Sequence, residues 1–205
     1  MSARVTVVDL GLGNLGSVLQ ALVRAGGDPR LSAGAREIGR SGLIVLPGVA
    51  AFGLGMERAG KLGLRSALDE ALRRGAPVLG ICLGMQILFE EGEEDGLRRG
   101  LGLLPGRVTR LPAGVQVPHI GWQRLQIIAP SPLLSGAAPW AYFANSYRCE
   151  APEQVTQAVA DHSGARIAAV VGRGNVHGVQ FHPEKSARDG EVLLARFLQL
   201  PEAPP

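Results

Sequence analysis

The sequence predicts an α/β fold, in which a mostly parallel sheet is flanked by helices and the C-terminal half is rich in β-structure. Short apolar runs that suit buried strands alternate with stretches of helical spacing through the first half of the 205 residues. The run Ala76 to Ile81 passes directly into a helical stretch at Leu83. From Arg107 onward the segments are short and extended. Since no linker or repeat divides the chain, we expect one domain over residues 1–200 and a frayed tail over residues 201–205.

The elements of the first half follow from β-branched runs, leucine spacing and glycine breaks. Asn14 can cap the first helix, and Gly26 with Gly27 ends it. Gly60 and Gly63 weaken the first part of the longest helix. In order, the sequence predicts a strand over residues 4–8, a helix over 14–25, a weak strand over 29–31, a strand over 42–46, a helix over 55–74, a strand over 76–81 and the start of a helix over 83–90.

The second half predicts a loop, an insertion and a closing group of strands. The charged, glycine-rich stretch Glu90 to Gly102 predicts a surface loop. Short extended segments and many prolines from Arg107 to Arg148 predict a β-rich insertion. The remaining elements are strands over residues 155–160, 167–171 and 176–181, the last two joined as a hairpin through residues 172–174, and a helix over residues 191–200 that Pro201 ends.

The composition excludes several classes of function. The formal net charge is only +3, and no basic stripe with interleaved aromatic residues is present, so we do not expect nucleic-acid binding. No run approaches the roughly 18 apolar residues of a membrane span, and the apolar run over residues 5–10 is too short for a signal peptide. Two cysteines are too few for a disulfide framework. Cys149 has no motif around it and is expected in the core or in a half-buried strand.

The run Gly80-Ile81-Cys82-Leu83-Gly84-Met85-Gln86 places Cys82 at a turn between a buried strand and a helix. Such a turn requires strained backbone angles and small neighbours, and it aims the side chain outward, as in a nucleophile elbow. The positive end of the following helix dipole favours the thiolate. The alternative is a buried structural cysteine. A catalytic thiol must stay reduced, so we expect a cytoplasmic protein.

A second run, Gly178-Val179-Gln180-Phe181-His182-Pro183-Glu184-Lys185-Ser186, supplies partners for a nucleophile. His182 and Glu184 lie just past a predicted strand, where α/β sheets place catalytic groups. His182 can accept the proton of Cys82, and Glu184 can orient and stabilise the imidazole. A lone histidine near a glutamate is more often a surface pair, but the combination with an elbow cysteine favours a catalytic triad.

Together these two runs resemble the class I, or triad, glutamine amidotransferases. Four further runs resemble, more narrowly, the family of glutaminase subunits of imidazole glycerol phosphate synthase. That enzyme acts in histidine biosynthesis. The further runs are Asp9-Leu10-Gly11-Leu12-Gly13-Asn14, Pro47-Gly48-Val49-Ala50-Ala51-Phe52-Gly53, Pro118-His119-Ile120-Gly121-Trp122 and Tyr142-Phe143-Ala144-Asn145-Ser146-Tyr147.

The resemblance implies a flavodoxin-like α/β fold and glutamine hydrolysis by Cys82, His182 and Glu184 through a γ-glutamyl thioester. It implies no cofactor. No metal site is predicted either, because the remaining histidines lack ligand partners at suitable spacing.

An oxyanion formed on the substrate would need backbone donors. The amide of Leu83 is one by position, and the resemblance assigns the second to Val49, with Gly48 giving the loop its backbone freedom. An ordinary Pro-Gly turn is the alternative. Ala50 replaces a glycine usual in the family, which puts the flexibility of this loop in doubt.

The resemblance also assigns glutamine binding to Gly48, Gln86, Ser146 and Tyr147. Gln86 lies one helical turn beyond the nucleophile, where it would reach the α-amino acid end of the substrate. A helix-surface role for Gln86, and a core role for the tyrosine-rich strand, are the structural alternatives.

In the family, ammonia passes to a (β/α)₈ cyclase that forms imidazole glycerol phosphate and aminoimidazole carboxamide ribonucleotide. This chain contains no (β/α)₈ half, so the cyclase is expected to be a separate polypeptide. Candidate docking residues are Asn14, Trp122 and Lys185, although Trp122 would also suit the core and Lys185 a solvated surface. We expect glutaminase activity to be low until the liganded cyclase binds.

Three functions are therefore compared. The first is the histidine-pathway glutaminase subunit, which Trp122 in its motif favours. The second is a glutaminase of another amidotransferase or a stand-alone γ-glutamyl hydrolase. The third is a non-catalytic binding module, which the intact set of Cys82, His182 and Glu184 argues against.

Overall fold

An eight-stranded mixed sheet lies at the centre of the structure, a computed structural model that describes residues 2–134 and 139–201. Its strands are β1 (Ala3–Val8), β2 (Gly27–Ser32), β3 (Ile44–Leu46), β4 (Val78–Ile81), β9 (Gln126–Ile127), β12 (Thr156–His162), β13 (Ala165–Arg173) and β14 (Val176–Val179). The smaller sheets are formed by β5 (Glu91–Gly92), β6 (Arg98–Arg99), β7 (Arg107–Arg110) and β11 (Tyr147–Glu150), and by β8 (His119–Arg124) with β10 (Trp140–Asn145).

The sheet has a parallel half and an antiparallel half. Its strand order is β2-β1-β3-β4-β14-β13-β12-β9. The first five strands run parallel, whereas the last three pair antiparallel. This arrangement confirms the predicted α/β class, the parallel core and the β-rich second half.

Helices cover both faces of the sheet. They are α1 (Leu15–Arg24), α2 (Ala35–Gly39), α3 (Phe52–Leu62), α4 (Leu64–Arg73), α5 (Leu83–Ile87) and α6 (Ala187–Leu198). Apolar side chains of α1 and α6 join one buried cluster, and those of α2 to α5 join the other. Neighbouring strand residues such as Val7 and Val8 enter opposite clusters, because side chains alternate between the faces of a strand.

Adjacent parallel strands position the functional residues. In the register of β4 with β14, Ile81 pairs with Val179. Cys82 follows the first of these residues, and Gln180 follows the second. The ends of both strands therefore meet at one edge of the sheet, where open α/β sheets hold their ligands.

Several predicted boundaries were wrong. The helix expected over residues 55–74 is two helices, because Gly63 adopts a left-handed conformation with φ +68° between them. The helix after Cys82 ends at Ile87, since the following carbonyls of Leu88 and Phe89 accept hydrogen bonds from a returning loop.

Other differences come from short elements. Helix α2 was not predicted, and the expected loop over residues 90–102 contains the hairpin of β5 and β6. Helix α6 begins four residues before the expected residue 191. Pro201 follows it and is exposed, while the rest of the expected frayed tail, residues 202–205, lies outside the described residues. None of the described helices has the length and apolar character that a membrane crossing requires.

Two stacked imidazoles are buried beside strand β8. The ring of His119 lies 3.9 Å from that of His162 and 4.7 Å from that of Phe143, measured between centroids. Neither ring nitrogen of His119 has a hydrogen-bond partner among the described residues. Burial, followed by the charge of His162, lowers the pKa of His119 to about 4.

Replacing His119 by phenylalanine should make the protein less sensitive to acid. The folded state holds His119 neutral, so its contribution to stability is full above pH 6.5 and is lost as the pH falls towards 4. Between pH 7.5 and pH 5 we expect the wild type to lose about 2 kcal/mol more unfolding free energy than His119→Phe. Urea unfolding at the two pH values measures this difference, and equal losses would contradict the assignment.

Candidate active site

Cys82 lies at a strained turn between β4 and α5, as the sequence predicted. Its backbone has φ +52° and ψ −110°, a region that costs a residue with a Cβ about 1–3 kcal/mol. Hydrogen bonds hold it there: its N–H donates to the Val179 carbonyl at 2.8 Å, and its carbonyl accepts from Gln86 N–H at 3.0 Å. The side chain is 7% exposed.

The two flanking glycines allow this turn to form. A Cβ on Gly80 would lie 2.6 Å from the Gly84 carbonyl oxygen, and a Cβ on Gly84 would overlap the Leu46 carbonyl oxygen. Both obstacles are backbone atoms, so no side-chain rotation would relieve them. The requirement for small neighbours therefore has a direct cause in the close approach of α5 to β4 at Gly80 and to β3 at Gly84.

His182 and Glu184 form a buried pair beside the cysteine. The Nδ1 atom of His182 lies 2.8 Å from Oε1 of Glu184, and the Cys82 side chain is close enough to the imidazole to contribute to its pKa. Burial disfavours the charged imidazole, but the hydrogen bonds and negative charges of Cys82 and Glu184 outweigh it and raise the pKa of His182 to about 10. The imidazole is therefore held in its charged form, and because both side chains are buried, a mere surface pair was the wrong alternative.

A network of backbone bonds fixes this histidine. Its N–H donates to the Tyr142 carbonyl at 2.9 Å, and its carbonyl accepts from Oγ of Ser186 at 2.7 Å. Ser186 Oγ in turn accepts from the N–H of Tyr142 at 3.0 Å. Glu184 sits in a 3₁₀ turn, Pro183–Lys185, so the carboxylate is brought back towards the ring by the chain itself.

The loop after β3 places the predicted oxyanion-hole residues near the elbow. Gly48 approaches the Leu83 side chain so closely that an added Cβ would lie 3.2 Å from Leu83 Cβ. Val49 is 57% exposed and lines a cavity of about 40 Å³ together with Gly48, His182 and Glu184. Leu83 is the first residue of α5, so its amide lacks an intrahelical partner.

Two of the predicted glutamine-binding residues, Gln86 and Tyr147, are in contact, whereas Gly48 lies in the loop after β3. Gln86 is buried, and its Nε2 donates to the Tyr147 carbonyl at 3.3 Å. Ser146 is half-buried between β10 and β11, immediately before Tyr147. A helix-surface role for Gln86 was therefore the wrong alternative, whereas Phe143 is fully buried and does serve the core.

The predicted docking residues lie on the same side of the molecule as His182. Trp122 is 46% exposed and packs edge-on against Tyr142 at 5.9 Å between centroids, so it is not a core residue. Lys185 Nζ lies 5.8 Å from the centre of the same tyrosine ring. Asn14 and Lys185 both line the cavity that Val49 and His182 also line.

Sequence reasoning gave no role to Gln180. Its side chain is completely buried, and its Nε2 lies 3.8 Å from Cys82 Sγ. A glutamine directly after strand β14, two positions before the candidate base, was the available signal. Among the described residues, no three His, Cys, Asp or Glu side chains are grouped to hold a metal ion.

Comparisons with known proteins agree with this fold and identify the family. The family model of the class-I glutamine amidotransferases matches residues 6–200. Imidazole glycerol phosphate synthase subunit HisH of Symbiobacterium thermophilum is 46% identical over 198 residues, covering 95% of this chain and 93% of the relative. The HisH subunit of Bacillus subtilis is 42% identical over 201 residues, covering 95% of each chain.

A solved structure gives the same result for the fold. A chain of PurLQS from Thermotoga maritima superimposes with a TM-score of 0.76 at 25% identity, covering 97% of this chain and 98% of the other. The matched family model and the shared fold define a class-I glutamine amidotransferase. The chain belongs to the class I glutamine amidotransferase family and, within it, to the HisH subunits of imidazole glycerol phosphate synthase.

Proposed function

We propose that this chain hydrolyses glutamine to glutamate and ammonia at Cys82, and that it passes the ammonia to a separate (β/α)₈ cyclase subunit. Together they would form imidazole glycerol phosphate and aminoimidazole carboxamide ribonucleotide in histidine biosynthesis. The observation that carries the proposal is a buried cysteine at a strained strand-to-helix turn, next to a buried histidine that Glu184 holds at 2.8 Å. Residues 1–200 would act as one domain.

Hydrolysis would proceed in two steps. The Cys82 thiolate attacks the side-chain carbonyl carbon of glutamine, and the amides of Val49 and Leu83 stabilise the oxyanion, at about 3 kcal/mol for each donor. The His182 imidazolium gives its proton to the amide nitrogen, the C–N bond breaks, and ammonia leaves a γ-glutamyl thioester. The now neutral imidazole takes a proton from water, whose oxygen attacks the thioester and releases glutamate and the thiolate.

The surface around Trp122 supports a protein partner. In the register of β8 with β10, Trp122 pairs with Tyr142, and Arg124 pairs with Trp140. These positions share one face, which exposes both tryptophans and Ile120. A rigid aromatic patch beside an active site is typical of an interface centre. Ammonia would protonate in bulk water, so docking here would also keep the product enclosed.

A reducing compartment, the cytoplasm, is part of the proposal. Both cysteines are free thiols in the structure, and the mechanism uses Cys82 as a thiolate.

The test is glutamate release measured for the chain alone, with the cyclase, and with the cyclase and its nucleotide substrate. We expect low turnover alone and a large increase with the liganded cyclase, with ammonia incorporated into the nucleotide products. High turnover by the isolated chain that the cyclase does not change would favour a stand-alone γ-glutamyl hydrolase instead.

Reversing the charge of Lys185 should weaken docking. For Lys185→Glu we expect the dissociation constant for the cyclase to rise about tenfold, which corresponds to about 1.4 kcal/mol. The matched control is Lys61→Glu, since Lys61 is exposed on α3 and pairs with Glu57 on its own helix. Calorimetric titration measures both, and full affinity in the Lys185 variant would remove this residue from the interface.

A further inference from the structure

A buried hydrogen-bond chain leads from strand β11 to the nucleophile. The Tyr147 carbonyl accepts from Nε2 of Gln86 at 3.3 Å, and the same Nε2 donates to Oε1 of Gln180 at 3.2 Å. Nε2 of Gln180 lies 3.8 Å from Cys82 Sγ. Gln180 also donates its backbone N–H to the Ala169 carbonyl at 3.0 Å, which anchors it to β13.

The donor and the acceptor of each hydrogen bond in this series follow from the first acceptor, the Tyr147 carbonyl. A backbone carbonyl can only accept, so the amide nitrogen of Gln86 must face Tyr147. Its second N–H then requires an acceptor, which fixes the oxygen of Gln180 on that side and its N–H₂ group on the side of Cys82. The Oε1 atom of Gln180 also accepts from a second donor, the buried Cys149 thiol, whose sulfur lies 3.9 Å away.

We infer that Gln180 is a positioning residue that donates a hydrogen bond to Cys82 Sγ and holds it in its anionic form and orientation for attack. The inference rests on the proposed function, because it assigns a role within the same site. A completely buried amide would be costly to keep unless each of its groups has a partner, and here the sulfur is the partner of Nε2.

The same series of hydrogen bonds determines which atom of the Gln86 amide is free to bind the substrate glutamine. Both N–H bonds of its amide are used, by Tyr147 and by Gln180. Only its Oε1 is left for the substrate, which suits acceptance of a hydrogen bond from an α-ammonium group. The side chains of Gln86 and Gln180 thereby link strand β11 to the nucleophile.

Two variants of Gln180 test the role of its Nε2 donor separately from the volume and the acceptor of the side chain. Gln180→Glu keeps the volume and the acceptor for Gln86 and Cys149 but places an oxygen where the donor was. Gln180→Met keeps the approximate volume and removes both polar groups. The readout is the rate of Cys82 alkylation by iodoacetamide as a function of pH, followed by mass spectrometry of the Cys82 peptide, because only the thiolate reacts.

In both variants we expect alkylation to reach half its maximum at a pH at least one unit higher than in the wild type. We also expect kcat for glutamine hydrolysis to fall at least tenfold while KM changes less. The control is Cys149→Ala, which removes a contact at the other end of the same amide and should leave the alkylation profile unchanged.

An unaltered alkylation profile in a folded variant overturns the inference. If Gln180→Met does not fold, Gln180→Glu gives the same comparison, since it keeps the bonds that support Gln86. Failure of the proposed function is distinguishable: the wild type would then hydrolyse no glutamine with the cyclase present, whatever the alkylation profiles show.

Discussion

Replacing Cys82 by alanine is expected to abolish glutamine hydrolysis, lowering kcat by about 10⁴-fold or more, because no other group in the site can form the thioester. The fold should be retained, since alanine is smaller than cysteine and the strained turn is held by backbone bonds to Val179 and Gln86. Glutamate release in the complex with the cyclase measures the effect.

The sequence offers a matched control for this variant. Cys149 is the only other cysteine, and it is buried 3.9 Å from the same glutamine side chain that contacts Cys82. Cys149→Ala should keep activity within a few-fold of the wild type. If Cys82→Ala still released glutamate at a substantial rate, the nucleophile would be another group, and the mechanism proposed for this chain would be wrong.

Replacing Gly84 by alanine is expected to prevent folding or to lower the unfolding free energy by more than about 4 kcal/mol. The new methyl group would overlap the Leu46 carbonyl oxygen. Strand β3 and helix α5 would have to separate, and β3 lies between β1 and β4 near the middle of the sheet. Soluble yield and thermal unfolding of the purified variant measure the loss.

Gly60→Ala is the control for the Gly84 variant. Gly60 lies in helix α3, is exposed, and has nothing within 4 Å of an added Cβ. Alanine should therefore raise the unfolding free energy by about 0.5–1 kcal/mol. Equal stability of the Gly84 and Gly60 variants would show that the elbow does not need its glycine.

The sequence predicted the parallel core and the position of Cys82 because local signals were strong there. The run Ala76 to Ile81 is apolar throughout, and glycines flank the cysteine on both sides. The same glycines explain why the turn can form, which the structure shows as an approach of two backbones. The positions of His182 and Glu184 were also predictable, because the short run His182-Pro183-Glu184 directly follows the end of a predicted strand.

Long-range contacts could not be predicted in the same way. Helix α5 ends at Ile87 because a loop about fourteen residues downstream bonds the next carbonyls, and nothing in the local sequence encodes that loop's path. Gly63 was recognised only as weakening a helix, whereas its left-handed conformation separates two helices. The role inferred for Gln180 depends on Gln86 and Tyr147, which lie far from it along the chain.

The most direct test is labelling with a chloroketone analogue of glutamine, which alkylates a thiolate in the glutamine site. We expect one label per chain, on Cys82 and not on Cys149, slowed by glutamine and at least a hundredfold slower in His182→Gln, which lacks the imidazolium. Labelling of Cys82 at equal rates in both proteins, or no labelling at all, would contradict the assignment of a thiolate activated by His182.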